Sequence, residues 1–165
     1  MGLDISVLTT PAEVLASLEF SDCGIKDRNL AKFLVARTKD RGDRILTAPG
    51  SYSGLHVVRR KFTDFKGIEP EPLGSLQGIP ESHKPYHLLN HCDAEGWYLP
   101  NDFAEPIWAA IGDGVRFLSI GSSVRLLAEL EEITPDADAD WFWRWGAVYV
   151  AAVASVTQRQ PIKFH

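Results

Sequence analysis

Residues 141–158 read WFWRWGAVYVAAVASVTQ, and this stretch carries the main indication of the fold. Apolar residues lie on nearly every side of a helix with this sequence, which is typical of a helix buried at the centre of a protein. Its longest uncharged run, Gly146 to Ala154, is too short to cross a bilayer. We therefore predict a central buried helix that follows Asp140 as its N-cap, with the rest of the chain packed around it.

Shorter elements precede and follow this helix. Helical spacing of apolar residues predicts helices over 51–66 and 124–133, and Ser122 is the expected N-cap of the second one. Strands are predicted at 2–8 and 115–120, and an edge strand at 161–165 because it opens with proline. This mixture indicates an α+β or three-layer α/β fold, with a small mixed sheet packed against helices in one domain, residues 1–165.

The sequence also predicts the secondary structure of two further segments. A buried strand is expected to start at Tyr86, to run into an acidic turn, and to return as Trp97-Tyr98-Leu99. Residues 105–112 are expected to form a turn, because Pro106 would interrupt a helix there.

The composition narrows the classes of partner and compartment. A net charge of −5 argues against a nucleic-acid partner, since basic residues supply most of the affinity for phosphates. The first six residues lack the positive region of a secretory signal, and no membrane partner is expected. Cys23 and Cys92 are too few for a disulfide framework. These features predict a cytoplasmic protein with free thiols.

A candidate polar site lies within residues 86–100. If that segment is extended, His91, Asp93 and Glu95 point to one side, because side chains alternate along a strand. One imidazole and two carboxylates suit Mn, Fe or Zn, so these three residues are candidate metal ligands. In the alternative reading no cofactor binds, Asp93 and Gly96 shape a turn, and His91 only ends a strand.

A second polar stripe lies on the helix predicted over 51–66. At about 100° per residue, Tyr52, His56 and Arg59 form a row beside the buried face of that helix. Such a row either lines a cleft or forms the solvated flank of the helix, and the sequence favours neither alternative.

A candidate partner surface follows residue 128. Between Glu129 and Asp140 the chain carries six acidic residues and no basic one. Asp136, Asp138 and Trp143 are the residues that we expect to contact a partner protein there. A solvated acidic loop beside a packed tryptophan is the alternative.

Three fragments together resemble a known group of proteins. They are MGLDI at 1–5, SYSGLHVVR at 51–59 and LNHCDAEG at 89–96. In this order they are similar to a family of small, uncharacterised bacterial and phage proteins without an established activity. Cys92 stands where that family usually has serine, and Ala94 stands where it usually has cysteine. Some members look like immunity partners of bacterial toxins.

The resemblance implies that the two polar groups belong to one site, and it frames two hypotheses of function. The first is an intracellular bacterial binding or regulatory domain. As an immunity-type protein, such a domain would bind a toxin and neutralise it. The second is a small hydrolase, with or without a divalent metal, which would use His56 together with the turn residues His91, Asp93 and Glu95. In the hydrolase His91 would be a general base or ligand, and Arg59 would hold an anion. Whether the protein is an enzyme, and its oligomeric state, are left open by the sequence.

Overall fold

The computed structural model describes residues 5–7, 45–47, 52–70, 80–89, 96–111 and 116–164. Within these ranges six strands form one sheet and three helices accompany it. The strands are β1 (Ile5–Val7), β2 (Ile45–Thr47), β3 (Gly96–Leu99), β4 (Ile107–Ile111), β5 (Arg116–Ser122) and β6 (Ile162–Phe164). The helices are α1 (Tyr52–Lys66), α2 (Ser123–Glu132) and α3 (Phe142–Gln158). The predicted α+β class is confirmed.

The sheet is mixed and its strand order is β2-β1-β6-β3-β5-β4. Among the described strands, only β3 and β5 pair in parallel, and the other pairings are antiparallel. The prediction of an edge strand at 161–165 is wrong, because β6 lies between β1 and β3. Pro161 is compatible with this interior place, since it precedes the first paired residue, Ile162, and removes no hydrogen bond from the ladder.

Helix α3 is central, as its composition predicts. It contacts both other helices and strands β1, β2 and β6. Its buried face presents Val148, Ala151 and Ala152 to the core. The indole N–H of Trp145 donates to the carbonyl of Leu130 over 2.9 Å, which joins α3 to α2. None of the helices in the described ranges has the length and hydropathy needed to cross a membrane.

Three local predictions are wrong. Helix α3 has Trp141 as its N-cap without a side-chain hydrogen bond, so Asp140 does not cap it. The segment 105–112 contains strand β4 instead of a turn, and Pro106 lies just before that strand. Residues 86–89 are not a strand, because turns occupy 81–85 and 87–89. The returning strand at Trp97 is confirmed as β3.

Candidate functional site

The turn at 87–89 is held by side chains that come from distant parts of the chain. The Glu129 carboxylate accepts from the backbone N–H of His87 over 2.8 Å and of Leu88 over 2.7 Å. The carbonyl of His87 accepts from the Tyr98 hydroxyl over 3.0 Å. Because these backbone groups bind side chains instead of a neighbouring strand, the segment is ordered without being part of the sheet.

Glu129 is therefore a structural acid and not part of a surface. Only 8% of its area is exposed, and this burial raises the pKa of its carboxyl group to about 7. The two backbone N–H groups oppose that shift, because they favour the charged form. The sequence contained a signal for this role: Glu129 follows Leu126 by three residues and precedes Leu130, so it lies on the packed face of α2.

His87 is a buried, neutral histidine. Its Nδ1 accepts from the backbone N–H of Ser122 over 2.8 Å, so its proton is on Nε2, which donates to the carbonyl of Ala104 over 3.3 Å. Burial lowers the pKa of the imidazole. The Ser122 hydroxyl donates to the carbonyl of Asn101 and accepts from the backbone N–H of Arg125, which confirms the predicted N-cap of α2.

Helix α1 contacts the same turn through Arg59. The Arg59 side chain is 4% exposed, and its Nη2 donates to the carbonyl of Leu89 over 2.7 Å. A cavity of about 10 Å³ lies beside this bond, with room for about one water molecule. Its lining residues are His56, Arg59, Arg60, Thr63, Pro70 and Leu89.

The predicted polar site is described only in part. His56 and Arg59 line the same cavity, whereas Tyr52 is described by its backbone alone, as the first residue of α1. His91, Asp93 and Glu95 lie outside the described residues, so their meeting with α1 stays a prediction. The strand alternation that put them on one side is wrong for the part that is described, 86–89.

The structure does not describe the three residues that were predicted to bind a metal ion. Among the described residues, no group of three or more histidine, cysteine, aspartate or glutamate side chains could hold a metal ion. The proposed ligands fall outside those residues, and the metal site stays a prediction.

The predicted partner surface lies at the end of α2 and in the loop before α3. We define the acidic loop as residues 131–140. Five of its side chains are exposed carboxylates: Glu131, Glu132, Asp136, Asp138 and Asp140. Glu132 pairs with Lys66 over 2.5 Å, and the other four form no ion pair within the described part of the chain.

Aromatic side chains adjoin the acidic loop at the start of α3. Trp143 is 50% exposed and Phe142 is 38% exposed, whereas Trp145 is buried. The guanidinium of Arg144 lies 4.9 Å from the centre of the Trp143 ring, within the range of a cation–π contact. All three residues predicted for the partner surface, Asp136, Asp138 and Trp143, are thus accessible to a partner.

Comparison with known proteins adds one match. A family model described as "Putative DNA-mimic protein" matches residues 1–164. No curated protein and no solved structure matches the chain. The description names a mimic of DNA and no reaction.

This match corrects the prediction about partners. The net charge of −5 predicts that a nucleic-acid partner is unlikely, and the match to a DNA-mimic family contradicts that prediction. A mimic of DNA carries negative charge because proteins that bind DNA recognise such charge. The expected protein partner is compatible with the match.

Proposed function

The chain belongs to the DNA-mimic family, and from this premise we propose that it is a non-catalytic protein that binds a DNA-binding protein. In this proposal the carboxylates of the acidic loop take the places of phosphates on the basic surface of the partner. The observation that carries the proposal is the set of exposed carboxylates between 131 and 140, of which Glu132 alone has a described cationic partner.

The charge density of the acidic loop supports this role. Duplex DNA carries about one negative charge per 1.7 Å of its axis, and a protein that binds it offers lysine and arginine side chains to match. Five of the ten residues in the acidic loop are exposed carboxylates, so negative charge is concentrated in one short segment. Opposite charge on the two surfaces would speed their association and fix their orientation.

The position of Glu131 also supports this role, because negative charge in the last turn of α2 lowers the stability of that helix. Glu131 and Glu132 lie in the last turn of α2, where the helix dipole disfavours negative charge, and that turn has no basic residue. A binding role explains why the acidic residues are present at a position where they lower the stability of the helix.

The immunity-type role is a narrower form of the same proposal. A toxin that acts on DNA must have a basic surface for its substrate, and a mimic that occupies this surface would neutralise the toxin. A regulatory role would differ only in the partner, for example a DNA-binding regulator. Both forms place the protein in the cytoplasm with its partner.

The experiment uses immobilised protein and neutral variants of nearly equal shape. The triple variant Asp136→Asn, Asp138→Asn and Asp140→Asn removes three negative charges from the acidic loop. The matched control removes three exposed acids elsewhere, by Asp64→Asn, Glu69→Gln and Glu105→Gln. Proteins retained from a bacterial lysate would be identified, purified and titrated against each form.

We expect the retained proteins to be DNA-binding proteins that duplex DNA displaces from the column. The acidic-loop variant should bind such a purified partner about tenfold more weakly or worse, while the control binds like the wild type. Equal loss in both variants would point to net charge instead of this surface. Retained proteins that DNA does not displace would contradict the proposed function.

A further inference from the structure

The ammonium group of Lys66, the last residue of α1, lies among three aromatic rings. Its Nζ is 5.4 Å from the centre of the Phe62 ring, 5.6 Å from that of Phe65 and 5.4 Å from that of Tyr86. All three distances are within the roughly 6 Å over which a ring attracts a cation. The carboxylate of Glu132 pairs with the same Nζ over 2.5 Å. We name these three rings and this carboxylate the ammonium site.

The ammonium site is assembled from three segments of the chain. Its members come from the end of α1 (Phe62 and Phe65), from the segment 80–89 (Tyr86) and from the last residue of α2 (Glu132). Phe62 is buried and meets the Tyr86 ring edge to face, with the ring centres 5.2 Å apart. These two rings therefore support each other independently of Lys66. Phe65 is 59% exposed, so one side of the site is open to solvent.

The chemistry of the ammonium site suits an organic cation. The face of an aromatic ring is negative, so several rings around one point attract an ammonium or guanidinium group, and a carboxylate adds to that attraction. Hydrogen bonding to Glu132 raises the pKa of the Lys66 ammonium, so this group is charged at neutral pH. The protein's own lysine thus illustrates the class of group that the site can hold.

The ammonium site adjoins the acidic loop, because Glu132 belongs to both. Lys66 neutralises this one carboxylate, whereas the other four exposed carboxylates of the acidic loop form no ion pair among the described residues. The side chains of Lys66 and Glu132 are 23% and 43% exposed, and ion pairs with such exposure contribute little to stability. Exchange of Lys66 for another cation would therefore change the stability of the fold little.

We propose that the ammonium site binds a lysine or arginine side chain of the partner, and that Lys66 occupies the site until the partner displaces it. This use of the site rests on the proposed function. A surface that binds DNA offers lysine and arginine side chains, and arginine also stacks on aromatic rings. The other carboxylates of the acidic loop would hold the partner beside the site. This offsets the advantage that Lys66 has from being part of the same chain.

The first experiment tests whether the emptied site binds a cation. Lys66→Ala removes the resident ammonium, and n-butylammonium chloride supplies the same charged group on the same alkyl chain. NMR signals of the Phe65 and Tyr86 rings report binding in the full chain, with potassium chloride at equal ionic strength as the reference. We expect shifts about fivefold larger in Lys66→Ala than in the wild type, where Lys66 competes. Lys61→Ala is the matched control, because Lys61 is an exposed lysine of the same helix.

A second variant tests whether the carboxylate takes part. Glu132→Gln, added to Lys66→Ala, should reduce the response to butylammonium about fivefold, because the rings alone attract the cation less strongly. Circular dichroism spectra of both variants should match that of the wild type, since the substituted side chains are partly exposed.

The second experiment tests whether the partner uses the site. Lys66→Ala and Lys61→Ala each remove one positive charge from α1, but only Lys66→Ala empties the ammonium site. With the DNA-binding protein retained and purified as above, we expect Lys66→Ala to bind about fivefold more tightly than Lys61→Ala. Phe65→Ala should bind this partner about fivefold more weakly than the wild type, because it removes the exposed ring of the site.

The contrary outcomes separate the site from the proposed function. If Lys66→Ala responds to butylammonium no more than Lys61→Ala does, the Lys66–Glu132 pair is only a link between α1 and α2, and the proposal is overturned. If butylammonium binds but both lysine variants bind the partner equally, the proposal is overturned and the proposed function stands. If the triple acidic-loop variant binds the partner normally while Lys66→Ala binds it more tightly, the proposed function fails and the ammonium site stands.

Discussion

Loss of the Glu129 proton should make the fold less stable as the pH rises. Burial raises the pKa of this carboxyl group to about 7 in the folded protein, from an ordinary value of 4.5. Between these two pH values the folded chain holds a proton that the unfolded chain has released, so folding takes up a proton. The contribution of Glu129 to stability is therefore largest below its pKa in the unfolded chain, and it is lost as the pH rises through its pKa in the folded protein.

The magnitude follows from the two pKa values. With one unit of pKa equal to about 1.4 kcal/mol, the contribution of Glu129 should fall by about 2–3 kcal/mol between about pH 5 and pH 8. Glu129→Gln has nearly the same shape and does not titrate. The difference in free energy of unfolding between wild type and variant therefore isolates this group from the other groups that titrate, including His87.

The assay is denaturant unfolding of both proteins across this pH range. Glu131→Gln is the control, because it removes an exposed carboxylate from the same helix. Hydrogen exchange adds a local readout, since the backbone N–H groups of His87 and Leu88 donate to the Glu129 carboxylate. A difference between wild type and Glu129→Gln that stays constant with pH would refute the reasoning.

Three other perturbations have expected outcomes. His87→Ala leaves the buried N–H of Ser122 without its acceptor, and should lower the free energy of unfolding by about 2 kcal/mol in denaturant melts. Gly121→Ala would press a methyl group into the Tyr98 ring and should cost about 1–3 kcal/mol in the same assay, and an unchanged midpoint would contradict this. If the metal hypothesis holds, Mn²⁺ or Zn²⁺ should raise the melting temperature of the wild type and not of His91→Ala, and the absence of any shift with either ion would count against it.

The sequence predicted the elements whose own residues determine them. Helix α3 is apolar almost all round, so its central place follows from composition alone. Ser122 could likewise be predicted as an N-cap, because its hydroxyl accepts from the backbone N–H of Arg125 only three residues later. In both cases the deciding interactions are local or need no particular partner.

The failed predictions depend on partners far away in the chain. Residues 86–89 have the apolar character of a strand, yet two of their N–H groups bind the Glu129 carboxylate more than 40 residues later. The interior place of β6 depends on its pairing with β1, which comes from the opposite end of the chain. Periodicity within a segment contains no information about either partner.

The candidate site could likewise be predicted only in part from the sequence. Helical phase placed His56 and Arg59 on one flank of α1, and both line the cavity beside Leu89. That Arg59 would be buried and bound to a backbone carbonyl did not follow from phase, because the acceptor comes from the turn at 87–89. The exposure of Asp136, Asp138 and Trp143 agrees with the expected partner surface, which stays a prediction until a partner is measured.

The acidic run from 129 to 140 divides into two parts with separate consequences. Glu129 faces inward and holds the turn at 87–89, whereas Glu131, only two residues later, faces solvent because a helix turns by about 100° per residue. Loss of charge at 129 should therefore change stability and its pH dependence without removing a charge from the acidic loop. Loss of charge at 136 and 138 should change binding and leave unfolding nearly unaffected, because these side chains are exposed and unpaired in the described residues. Binding and folding can thus be tested independently, although the acidic residues that determine each of them are close together in the sequence.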